Sequence, residues 1–97
     1  MHPLLVKKKA LGYVELVEKP VTLKGSNALE MMSLIWRARK VAKIAISRWM
    51  SQPRAYIDYE IHALVDAYHL GPSVELKARE MIPERVRKSG IPGAATV

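Results

Sequence analysis

The sequence predicts a mainly α-helical domain of three to four helices, built on one long central helix and preceded by an extended or short β N-terminal arm. Three observations predict it. Between Asn27 and Ser51, Met31, Ile35, Ala38, Ala42, Ala45 and Trp49 recur at alternating steps of four and three, which places them on one helical stripe. Residues 53–70 carry a second stripe, in which Ile57, Ile61, Leu64, Val65 and Tyr68 fall at i, i+4, i+7, i+8 and i+11. Finally, 97 residues with 49% apolar and 26% charged content match one ordinary globular domain able to bury a modest core without metal or disulfide staples.

The first 26 residues form the arm. Leu4-Leu5-Val6 and the run from Leu11 to Glu18 are rich in β-branched and aromatic residues, and Pro3, Gly12, Pro20 and Gly25 interrupt them. Tyr13, Glu15 and Val17 fall on one face and Val14, Leu16 and Glu18 on the other, compatible with a hairpin or with a strap lying along the helices. Two strands alone are marginal in water, so the arm must dock to be ordered.

The helical domain spans 27–88. Ser26 or Asn27 caps the long helix, and Asn27 with Glu30 has the spacing of a capping box. Its end is set by Ser51-Gln52-Pro53, because a residue before proline is pushed out of the helical region and Pro53 suits the first turn of a new helix. Gly71-Pro72 stops the second helix, with glycine expected at the left-handed position past its end. Ser73 is expected to cap a third helix with Glu75 in its first turn and Val74, Ala78, Met81 and Ile82 along its apolar edge. Pro83 interrupts it, Val86 turns inward from a last short turn, and residues 89–97 read as a tail.

Charge narrows the function classes. The net charge is +7 and the pI about 9.9, an excess that favours polyanionic partners. It is unevenly placed: the long helix carries five bases against Glu30 alone, whereas residues 52–70 carry three acids, Asp58, Glu60 and Asp66, against Arg54. No apolar run approaches the roughly 20 residues that span a bilayer, and Lys7-Lys8-Lys9 follow the apolar start rather than precede it, the reverse of a secretory signal. A cytoplasmic location without membrane association is therefore expected. The lack of cysteine suits a reducing compartment, and single Asn and Gln residues lean toward a thermophilic source, against which stand five methionines.

Trp36, Lys40, Lys43 and Ser47 form a row on the side of the long helix away from its apolar stripe, so an indole stands among cations. With Arg37, Arg39 and Arg48 they make a track suited to phosphates, with Trp36 as a stacking or anchoring surface. The bland alternative is a solvated face with Trp36 covered by the arm or a second subunit. Lys7, Lys8 and Lys9 at one end and Arg85, Arg87 and Lys88 at the other would act as flanking arms.

Other constellations are weaker. The helix, turn and helix over 53–88 resemble a helix-turn-helix in outline, with Lys77, Arg79, Arg85 and Arg87 as contacts. However, Lys77 and Glu80 fall where inward aliphatics belong, and Pro83 interrupts the second element. Asp58, His62, Asp66 and His69 share one helical side and constitute a weak metal candidate, ranked below ordinary solvated pairing. The glycines are scattered, no phosphate-cradling loop occurs, and neither a cofactor nor a catalytic residue is assigned. The alanines on the apolar stripe admit a close helix partner, from within the chain or from a homodimer or partner protein.

The expectation is a non-catalytic nucleic-acid-binding protein, RNA preferred over DNA, belonging to a ribonucleoprotein or DNA-processing assembly. The alternatives are a structural or interaction subunit and a helix-turn-helix DNA-binding regulator.

Overall fold

A computed structural model describes residues 14–18 and 27–88. These residues are mainly helical, and no strand occurs among them. Helix α1 spans Ala28–Ser51, α2 Ile57–Ala67, α3 Pro72–Met81 and α4 Glu84–Arg87. Helices α2 and α3 both pack on α1 and on each other.

The core lies where the three longer helices meet. Ala38, Ala42, Ala45 and Trp49 of α1 are each 0% exposed, and Val41 is buried beside them. Ile57, Ile61, Leu64 and Val65 come from α2, Val74, Ala78 and Met81 from α3, and Val86 from α4. Small side chains let backbones approach and leave their volume to be filled by the large ones opposite. The stripe considered for a homodimer or a partner protein is thus occupied by the chain's own helices over Ala38, Ala42, Ala45 and Trp49. Toward its start the stripe opens: Ile35 is half-buried and Met31 is exposed.

Several local expectations are corrected. Asn27 has helical backbone angles and makes no side-chain capping bond, so the capping box with Glu30 is not formed; Ser26 lies outside the described residues. Helix α2 begins at Ile57 rather than Pro53. Gln52 is extended as the following proline demands, and a second extended residue, Tyr56, brings both Ala55 and Ile57 inward.

The end of α2 differs more. His69, not Gly71, takes the left-handed position, with φ 53°. The Leu70 N–H donates to the Val65 carbonyl at 3.0 Å and the His69 N–H to the Asp66 carbonyl at 3.3 Å, the paired bonds of a Schellman motif. Helix α2 therefore stops at Ala67, and Tyr68, expected on the buried stripe, is 67% exposed. Gly71 instead serves as the N-cap of α3 with φ 91°, because Pro72 occupies the first helical position, and Ser73 is already inside the helix.

The described part of the arm, residues 14–18, behaves as a strap along the helices. Val14 and Leu16 pack on the core, and the Val17 N–H donates to the Met81 carbonyl at 2.6 Å. That carbonyl sits at the end of α3, where no intrahelical donor remains. The rest of the arm, with its alternative hairpin, and the tail over 89–97 lie outside the described residues.

The left-handed His69 supplies a test. A β-carbon in this region costs about 1 kcal/mol relative to glycine, so His69→Gly is expected to raise stability by roughly that amount in urea denaturation. An unchanged or lowered midpoint would mean that the His69 side chain contributes more than its backbone strain costs.

Candidate nucleic-acid interface

Burial of one side of α1 decides what its other side presents. With Ala38, Ala42 and Ala45 facing the core, the 3.6-residue period turns Trp36, Lys40, Lys43 and Ser47 outward. Trp36 is 58% exposed, and the Lys40 Nζ lies 5.8 Å from its ring centroid, within cation–π range. Arg37 is exposed one flank away, beside Leu70, Gly71 and Pro72 at the turn into α3. Among the described residues, no ion pair reaches Arg37, Lys40 or Lys43.

The other two cations of α1 are engaged. The half-buried Arg39 donates from Nε to Glu18 Oε1 at 2.6 Å, tying the strap to α1. Arg48 meets Glu60 at a longer 3.4 Å, joining α1 to α2. The five-cation track therefore divides into two structural pairs and three free cations.

Asp58 of α2 is engaged away from α1. Arg87 Nε and Nη2 donate to the two oxygens of Asp58 at 3.1 and 3.2 Å, a two-pronged pair across 29 residues of sequence. Arg79 approaches Asp58 at 3.8 Å and Glu75 at 3.3 Å, and Glu75 in turn meets His62 Nδ1 at 2.7 Å. A chain of side chains thus runs Arg87, Asp58, Arg79, Glu75, His62 and ties α4, α2 and α3 together. Only the Glu75–Arg79 spacing was a local sequence signal.

Of the proposed flanking arms, Arg87 belongs to this chain and Lys88 pairs with Glu84 at 2.8 Å. Arg85 is exposed, and Lys7, Lys8 and Lys9 lie outside the described residues. The hydrogen bond from Lys88, helped by its charge, holds the Glu84 carboxyl below its usual range. A depressed carboxyl stabilises above its unfolded-state pKa, and the contribution fades as pH falls through the folded value. Both groups are well exposed, so this pair contributes little.

The metal candidate does not assemble. Asp58 faces Arg87, His62 faces Glu75, and His69 lies beyond the end of α2, which breaks the helical register that would align it. His62, Asp66, His69 and Glu75 border a surface hollow, yet among the described residues no three such groups are placed to share an ion. The helix-turn-helix outline fares similarly. The two cations of α3 are in ion pairs, Lys77 with Glu80 and Arg79 with Asp58 and Glu75, and its outer side presents Ser73, Leu76 and Glu80. Such a face offers little to phosphates.

Two residues unnoticed in the sequence join the outer row. Leu29 and Met32 precede Trp36 by seven and four positions, and they are 80% and 48% exposed. The same helical period that identified Trp36 placed them there. A hollow of about 190 Å³ between the strap, α1 and α3 is lined by Val17, Ile35 and Met81 with Arg39 and Lys77 at its edge. No helix among the described residues is long and apolar enough to cross a membrane.

No protein-family model matches the chain, no curated protein matches it, and no solved structure matches it.

The side-chain network provides a graded test. Asp58→Asn leaves two arginines without their carboxylate, and because the site is part-exposed the expected loss is about 1 kcal/mol. Glu84→Gln, which removes only an exposed pair, should change the denaturation midpoint hardly at all. Equal effects of the two substitutions would show that the Asp58 cluster has no special structural weight.

Proposed function

We propose that this protein binds nucleic acid without catalysis, gripping the phosphate backbone with the outer face of α1 and serving as a component of a ribonucleoprotein. Arg37, Lys40 and Lys43 supply the phosphate contacts. One observation supports the reading above the others. Asp58 of α2 is taken up by Arg79 and Arg87 and Glu60 by Arg48, and Arg37, Lys40 and Lys43 of α1 keep no ion-pair partner among the described residues. Cations crowded within two helical turns repel one another, and a polyanion relieves that repulsion while releasing its own counterions. RNA is favoured over DNA because α3 makes a poor groove-reading element, whereas folded RNA is recognised through shape and phosphates.

A second reading rests on the exposure of Leu29 and Met32 beside Trp36. In that reading the face docks on an acidic protein subunit with a small apolar patch, and the protein is an interaction subunit.

Salt separates the two. Affinity for RNA should fall linearly in a log–log plot against salt, and Arg37→Ala with Lys40→Ala and Lys43→Ala should reduce the slope by about two to three units. Helicity should be preserved, since alanine is the best helix former. A slope untouched by the triple substitution would remove this face as the phosphate contact, and binding of neither RNA nor DNA at low salt would remove nucleic acid from consideration and leave the interaction subunit.

A further inference from the structure

The two tryptophans have opposite environments: Trp49 is 0% exposed, and Trp36 is 58% exposed on the free cationic face. Phosphate binding alone explains the lysines and does not explain the indole. We infer that Trp36 is a stacking platform for an unpaired RNA base, so that the ligand of this face is single-stranded RNA; the inference rests on the nucleic-acid reading above.

The geometry points this way. Lys40 lies over the Trp36 ring at 5.8 Å from its centroid, so one side of the indole already faces a cation. A base stacking on the open side would bring its neighbouring phosphate within reach of that ammonium. Lys43 continues the row, and the rise from Trp36 to Lys43 is about 10 Å. A strand can thus meet the indole and both ammonium groups together. In a duplex the faces of the bases are already stacked on each other, and reaching one requires unstacking. The indole therefore adds affinity only where bases are already splayed, and every base has a face to offer, so little sequence preference is expected.

A lipid surface is the competing occupant, because Leu29 and Met32 extend the row on its other side. The observations favour the strand. Beyond Trp36 the row continues as Lys40, Lys43 and Ser47 rather than as a broad apolar face of the kind that inserts between headgroups.

Fluorescence of the full chain tests this, since Trp49 is shielded and a change in emission reports Trp36. An oligouridylate of about ten nucleotides should quench the emission and bind roughly tenfold more tightly than an RNA duplex of equal phosphate number. Read by anisotropy of the labelled RNA, Trp36→Ala should abolish that preference while leaving duplex affinity and the circular dichroism unchanged, and Trp36→Tyr should restore part of it. Equal affinity for strand and duplex, an equal loss on both with Trp36→Ala, or tighter binding of oligothymidylate would overturn the inference and leave the phosphate reading in place. If neither RNA binds, or only phosphatidylserine vesicles shift the emission, both fall.

Discussion

Close contact of the alanine stripe of α1 with α2 and α3 is the constraint on which the rest of this molecule depends. Ala38, Ala42 and Ala45 contribute little apolar area individually. What they provide is proximity, which lets Trp49, Ile57, Ile61 and Val86 lie fully buried between the helices. Because a helix is rigid over its length, fixing one side fixes the rotation of the whole rod. The outward direction of Trp36, Lys40 and Lys43 is thus a consequence of core packing rather than a separate feature.

Charge is apportioned on the same frame. The chain has more bases than acids, so some cations must remain unpaired. Which ones do is decided by distance. Asp58 looks toward α3 and α4 and meets Arg79 and Arg87; Glu60 looks toward the end of α1 and meets Arg48. The outer face of α1 lies beyond the reach of both. Self-repulsion there costs less than it would in the interior because the side chains are hydrated and screened by salt. That same exposure makes them available to a polyanion.

Legibility follows the range of the interaction. The long helix, the buried positions of α2 and α3, and the outward row containing Trp36 all arise from the 3.6-residue period, which a sequence displays directly. The end of α2 departs from the pattern of its sequence for a local reason. Leu70-Gly71-Pro72 invites glycine into the left-handed position, but Pro72 at the start of α3 draws Gly71 into the cap, and His69 takes the left-handed turn instead. Tyr68 then leaves the stripe. The Asp58–Arg87 pair had no signal at all, since residues 29 apart meet only through the packing of three helices. The same holds for Glu18–Arg39 and Glu60–Arg48, 21 and 12 residues apart, which separate the paired cations of α1 from the others.

The division between the two sides of α1 also separates the residues that hold the fold from those that face outward. Substitutions at Ala42 or Trp49 act on packing, where volume must be conserved. Substitutions at Lys40 or Lys43 act on exposed side chains of the outer face, so their effects on stability and on binding are separable. Arg39 and Arg48 stand between these cases. Each is cationic and lies on α1, yet each is fastened to another element, Arg39 to the strap through Glu18 and Arg48 to α2 through Glu60. A polyanion competing for them would have to displace Glu18 or Glu60, whereas no ion pair among the described residues has to be displaced at Arg37, Lys40 or Lys43. Affinity on this surface is therefore expected to concentrate around Trp36 and not to extend evenly along the rod.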